Sequence, residues 1–119
     1  MLLFIFNTPL HADELIINKK NSYPYRAIEN RANTIRSEHK RINLKMSASR
    51  VIEILGEPDE TLPLFEPKLK NPKQIGFTYW YLIQRLQNNG SVNEKNEKVV
   101  RISFDLNWTV TALDHWVFE

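Results

Sequence analysis

The chain contains no cysteine. Disulfides, thiolate zinc sites and cysteine nucleophiles are therefore excluded, and the absence suits the periplasm and the cytosol equally. No run reaches the roughly 18 apolar residues that a membrane-spanning helix needs. The three histidines, His11, His39 and His115, are scattered, so a His-only metal site would have to be assembled entirely by the fold. Net charge is only +2 over 119 residues, short of the clustered basic face that nucleic acid requires. No nucleophile sits beside a base in a recognisable catalytic motif. Asp105, Asp114 and His115 are the nearest approach to an acid–base set. Asp114 and His115, however, are neighbours on one expected strand, which sends their side chains to opposite faces. The expectation is a protein that is not an enzyme, with no catalytic residue, no cofactor, no metal and no nucleic-acid partner.

What is present is the composition of one compact domain, 42% hydrophobic and 25% charged, which is neither disordered nor fibrous. Its organising stretch is Leu44 to Asp59, LKMSASRVIEILGEPD. Ser47 can cap a helix N-terminus with its hydroxyl. Val51, Ile52, Ile54 and Leu55 form one apolar helical face. Gly56 suits the C′ position, and Pro58 stops the helix. Two turns of helix are unstable alone in water, so this face must dock on the β-rich C-terminal half.

Residues 1–12, MLLFIFNTPLHA, are apolar and then turn-like. They read as a signal-peptide remnant, with Leu2 to Phe6 as the apolar region and cleavage expected before Asp13. The apolar region is short and no basic residue precedes it, which fits a Met1 internal to a longer signal. The competing reading is an N-terminal strand of a cytosolic domain. Residues 13–24 form a linker, and residues 25–119 the folded domain. Within it, Tyr25 to Ile42 carries Ile28, Ala32, Ile35, His39 and Ile42 at alternating spacings of four and three, one stripe of a first helix. His39 on that stripe reads as a boundary histidine rather than a ligand. Arg26, Arg31, Arg36, Lys40 and Arg41 occupy the other faces, either a solvated surface or one for an anionic partner.

Glu57 to Ile75 contains Pro58, Pro63, Pro67 and Pro72 and is expected to be an irregular loop. Gly76 to Leu86, GFTYWYLIQRL, is the strongest strand signal. Phe77, Tyr79, Tyr81 and Ile83 fall on one face, Thr78, Trp80, Leu82 and Leu86 on the other. Two apolar faces imply a central strand or one with a covered or sticky outer face. Gln87 to Glu97 is a polar hairpin loop with Asn89-Gly90 as its turn signal. In Lys98 to Leu106, Val100, Ile102, Phe104 and Leu106 alternate with Arg101, Ser103 and Asp105, so the first set should face the helices. A turn at Asn107-Trp108 leads to a last strand, Thr109 to Phe118. The expected fold class is α+β: two N-terminal helices packed on one face of a three-stranded antiparallel meander, a two-layer sandwich.

This order of motifs resembles the SmpA/OmlA (BamE-like) domain family, which shares the fold of the β-lactamase inhibitor proteins. The resemblance rests on Lys45-Met46-Ser47, Val51, Leu55-Gly56-Glu57-Pro58-Asp59, Tyr79-Trp80-Tyr81, Ile102-Ser103-Phe104-Asp105 and Val110. It covers about Arg41 to Val117. The resemblance implies a bacterial envelope protein that supports outer-membrane assembly or integrity by holding a protein partner. Family members are anchored through a lipidated cysteine, which this chain lacks. The exported form is thus expected to be periplasmic and soluble, or held by its partner; the alternative is cytoplasmic. The family also carries glycine in the turn after Phe-Asp, where this chain has Trp108. Asn107 is expected to take the left-handed role there.

If the helices cover one sheet face, the other should be open and present either Tyr79 and Tyr81 or Trp80. Trp108 and Trp116 would extend that aromatic surface. Tyr79, Trp80, Tyr81, Trp108 and Trp116 are therefore the candidate protein-binding residues, because Tyr and Trp bury large areas at low entropic cost; the competing reading is that these rings fill a small core. An alternative function is an inhibitor or immunity-type protein that blocks an enzyme through an acidic patch of Glu57, Asp59, Glu60 and Glu66.

Overall fold

The computed structural model describes residues 24–85 and 97–116. In chain order these form β1 (Tyr25–Arg26), α1 (Glu29–Glu38), a 3₁₀ turn (His39–Arg41), α2 (Ala48–Leu55), β2 (Glu60–Phe65), β3 (Gln74–Arg85), β4 (Lys98–Asp105) and β5 (Val110–Trp116). The class is α+β, with two helices against an antiparallel sheet of five strands rather than three. The expected signal remnant, nearly all of the linker and the loop at Gln87–Glu97, apart from Glu97, lie outside the described residues.

The organising helix forms as its local chemistry dictates. The Ser47 hydroxyl accepts the Arg50 N–H at 3.2 Å, satisfying one donor that a helix start leaves orphaned. Gly56 closes the helix, its N–H bonded to the Ile52 carbonyl at 2.7 Å. It does so at φ +85° and ψ −172°, a region open essentially to glycine alone. Val51, Ile54 and Leu55 are buried and Ile52 packs at the margin of the same core.

The first helix is shorter than its apolar stripe. Tyr25 and Arg26 are extended instead, paired with Arg85 and Gln84 of β3. Ala32, Ile35, His39 and Ile42 are buried as the stripe requires, but Ile28 is exposed at the helix N-cap. Glu60 to Phe65, expected to be loop, is a strand in register with β3. It tolerates Pro63 because β2 is an edge strand, where a missing N–H interrupts no ladder.

β3 is the central strand. β4 pairs along one side of it; β1 and β2 lie end to end along the other. Tyr79, Tyr81 and Ile83 join Val100, Ile102, Phe104 and Val110 under the helices. Leu106 does not continue that row: it sits in the β4–β5 turn and is exposed. Trp80, Leu82 and Val99 form a second buried cluster on the opposite face, with Tyr25 and Leu62 against it. The sheet is therefore buried on both faces, and the open face expected from the sequence is absent among the described residues.

Candidate functional site

Four places in the fold concentrate chemistry. The first is the gap on β3 between the ends of β1 and β2. Asp59 fills it. Its N–H donates to the Trp80 carbonyl at 2.9 Å, and its carboxylate accepts the Leu82 N–H at 2.7 Å. The side chain thus stands in for the carbonyl that a neighbouring strand would supply. Arg31 of α1 reaches the same carboxylate oxygen at 2.9 Å and the Glu57 carbonyl at 3.0 Å. The Tyr81 hydroxyl donates to the Gly56 carbonyl at 2.8 Å. The Leu-Gly-Glu-Pro-Asp run is in this way tied to both the sheet and α1. Burial, reinforced by the Asp59 carboxylate, raises the Tyr25 phenol above its ordinary range. Burial likewise raises Tyr79, aided by Glu57, and Tyr81, aided by Tyr79.

The second place is the outer side of the sheet, centred on Trp80. The guanidinium carbons of Arg85 and Arg101 each lie 5.4 Å from its ring centroid, two cations in contact range of the indole. Arg85 is buried and pairs with Glu60, both carboxylate oxygens at 3.1 Å, and with Glu97. Arg101 pairs with Asp114 at 2.6 Å. The indole N–H donates to the Thr78 hydroxyl at 3.0 Å. Buried charges must be paired to be tolerated, and these are.

The third is the β4–β5 turn. The Trp108 N–H donates to the Asp105 carbonyl, and the Asp105 N–H to the Thr109 carbonyl, each at 3.0 Å. The Asp105 carboxylate accepts the N–H groups of Asn107 and Thr109 at 2.9 and 3.0 Å. Such a turn needs a left-handed residue next to its bulge. That residue is Trp108, at φ +61°, and not Asn107. The cost, about 1–2 kcal/mol for a residue with a Cβ, is offset by packing. The Trp108 ring stacks on Phe77 with centroids 4.0 Å apart and planes 8° apart. The turn also holds the start of α2: Ala48 N–H donates to the Trp108 carbonyl, and Lys45 and Val110 exchange bonds with Val110 and Met46. The two motif pieces Lys45-Met46-Ser47 and Phe104-Asp105 are one unit in space.

The fourth is the free end of the β2–β3 hairpin. Phe65 is 49% exposed, Leu69 106%, Ile75 41% and Leu106 56%. Phe65 pairs opposite Gln74, and Gly76 opposite Asp105, so register brings Phe65, Ile75 and Leu106 to the same end of the sheet. Lys68, Lys70 and Lys73 lie in the connecting loop, Lys68 paired with Glu66 at 3.3 Å. Single exposed apolar residues are ordinary, but several gathered at one end are informative.

The sequence-predicted binding residues fall elsewhere. Tyr79, Trp80 and Tyr81 are 8%, 7% and 0% exposed and present no ring to an outside partner. Trp108 is half-buried against the core. Trp116 ends β5 opposite Val99; its side chain is not among those described. Asp114 and His115 diverge as strand alternation requires. Asp114 meets Arg101 on the outer side, and His115 meets His39 with ring centroids 4.9 Å apart. Of the acidic four, Asp59 and Glu60 are buried in ion pairs, so they form no surface patch. Sequence reasoning missed Phe65, Leu69 and Ile75. Their signal was available as apolar residues inside a proline-rich polar segment, which no core-facing periodicity explains.

Fold and site together define a small α+β domain with a sheet buried on both faces and an apolar, lysine-flanked hairpin tip. No family model matches the chain, nor does any curated protein. Among solved structures, the chain is similar to a crystal structure assigned to the osmotically inducible lipoprotein OsmE. The two are 24% identical, with a TM-score of 0.44, over 70% of this chain and 80% of that one.

Proposed function

We propose that this chain is a non-catalytic protein-binding module of the bacterial cell envelope, and that it docks its partner through the β2–β3 tip. The observation that carries this reading is the set of exposed Phe65, Leu69, Ile75 and Leu106 gathered at one end of the sheet, whereas Ile28 and Leu44, the other large exposed apolar residues described, lie outside the sheet, at the start of α1 and ahead of α2. Apolar anchors on a loop that also carries Lys70 and Lys73 suit a protein surface with an apolar pocket and an acidic rim. The envelope assignment rests on the motif order around Leu55-Gly56-Glu57-Pro58-Asp59 and on the apolar start of the chain. Support of outer-membrane assembly or integrity is the specific form which that resemblance suggests. An inhibitor role is less favoured, because burial of Asp59 and Glu60 leaves only Glu57 and Glu66 of the acidic set accessible.

Two experiments test the reading. The first is crosslinking in cells of the source organism, with photoreactive residues placed at Leu69 and, as a control, at Arg50 on α2. Adducts with one envelope protein from Leu69 alone, abolished by Phe65→Ser with Leu106→Ser, are expected. Equal adducts from both positions, or none, would refute a dedicated tip. The second is mass spectrometry of the chain after cell fractionation. A periplasmic product starting near Asp13 is expected, whereas a cytosolic product retaining Met1 would remove the envelope assignment.

A further inference from the structure

A cavity of about 250 Å³ opens between α1 and the end of the sheet where β1 meets β3. Three features build it. Ala27 and Ala32 stand where larger side chains would fill the gap, and Ile83 lines it beside them. The β3–β4 register slips between Leu82 and Gln84. A bulge of this kind re-aims a side chain, and here both Ile83 and Gln84 line the same cavity, which simple alternation would forbid. The walls are then cationic: Arg26 from β1, Arg36 from the last turn of α1, and Lys98 from β4.

These cations are placed rather than scattered. Arg26 and Lys98 both register against Gln84, from its two sides. The Arg26 Nε donates to the Gln84 side-chain oxygen at 3.1 Å, which fixes the guanidinium across the strand pair. Arg36 and Lys98 form no ion pair with a described residue. Glu29 is the one acid among the described lining residues. Three cations against one carboxylate leave the described lining about two charges positive. Two guanidinium forks and one compact ammonium are the groups that bind oxyanions.

We propose that this cavity is a binding site for a phosphomonoester group. A phosphomonoester carries a charge of about −1.5 to −2 near neutral pH and three acceptor oxygens. That matches the excess charge and the three donors, whereas a carboxylate would leave a cation unpaired. The site is separate from the hairpin tip and does not depend on the proposed docking role. The same chemistry is carried by soluble phosphate esters and by lipids with a monoester headgroup.

Calorimetric titration of the full chain with inorganic phosphate and with glycerol 3-phosphate, at ionic strength held constant with chloride, tests the soluble source. Flotation with phosphatidylcholine vesicles, with and without phosphatidic acid, tests the lipid source. One saturable site is expected in at least one arm. Arg36→Gln and Lys98→Gln should each weaken it about tenfold, and Glu29→Gln should tighten it about threefold, because each changes one charge at the ligand. Backbone amide shifts at Ala27, Ala32 and Ile83 should follow the same titration. Saturation by free esters assigns a soluble ligand; retention only on phosphatidic acid vesicles, lost in both cation variants, assigns a headgroup. Absence of saturable binding in both arms, or binding that all three variants leave unchanged, would overturn the proposal.

Discussion

Replacing Asp59 with alanine is the sharpest test of how this fold is held together. The carboxylate is almost fully buried and accepts the Leu82 N–H at 2.7 Å, Arg31 at 2.9 Å and, more distantly, the Tyr25 hydroxyl at 3.5 Å. Leu82 is fully buried, so without Asp59 its N–H loses this acceptor, at about 1–3 kcal/mol. Arg31 is 26% exposed and keeps the Glu57 carbonyl, so its lost pairing costs nearer about 1 kcal/mol, as for a partly solvated pair. The sum is about 3 kcal/mol out of a total stability of about 5–15 kcal/mol. Urea unfolding should show the midpoint falling with an unchanged slope, and the melting temperature should drop by roughly 10 °C. Asp59→Asn retains an oxygen for Leu82 and loses only the charge, so it should cost about 1 kcal/mol. Hydrogen exchange should locate the damage, with the Leu82 amide losing protection before those of Val100 and Ile102. An Asp59→Ala loss below about 1 kcal/mol would refute the view that this side chain completes the β3 edge. Asparagine proving as harmful as alanine would move the effect from the hydrogen bond to the charge.

Three further outcomes are expected. A Cβ on Gly76 would lie 1.8 Å from the Phe104 carbonyl oxygen, whereas one on Gly56 meets only Arg31 Nη1, at 3.8 Å. In chemical unfolding Gly76→Ala should therefore cost more than Gly56→Ala, about 3 kcal/mol or above against about 1–2 kcal/mol of backbone strain. At Trp108 glycine should be tolerated better than alanine by about 1 kcal/mol, because both lose the Phe77 stack but only alanine keeps the left-handed strain; equal stabilities would refute that strain. Ultraviolet titration should find phenols that stay protonated past the ordinary value of 10.0, since Tyr25, Tyr79 and Tyr81 are all raised. The native state then holds more protons than the unfolded chain above that pH. The stability they contribute is full below pH 10 and falls as the pH rises through the native values. Stability that climbs between pH 10 and 11 would contradict this sign.

Elements whose signals are local were legible in the chain. Ser47, Gly56 and Pro58 bracket α2 through bonds made within a few residues, and the alternation Val100, Ile102, Phe104 places β4 correctly. The doubly apolar β3 left a central strand or a covered outer face open, and the expected three-stranded meander placed it at an edge; it is central because β1 and β2 pair along the side opposite β4. β2 was missed because four prolines outweighed a six-residue pattern, and only an edge position makes Pro63 acceptable. β1 is two residues long, too short for any periodicity. Burial of Tyr79, Trp80 and Tyr81 was not legible as such. An aromatic strand reads the same whether its rings fill a core or meet a partner.

The sequence by itself determined where the chain turns and which side chains share a face, because caps, prolines and strand alternation act over one to four residues. Only tertiary structure decided what each face meets. It made Asp59 a surrogate strand partner rather than a surface acid, and it put Trp108 in a left-handed turn because Phe77 waits beneath it. It also left Phe65, Leu69 and Ile75 without a core to enter. Those outcomes depend on contacts between residues more than ten positions apart, and no local pattern encodes them.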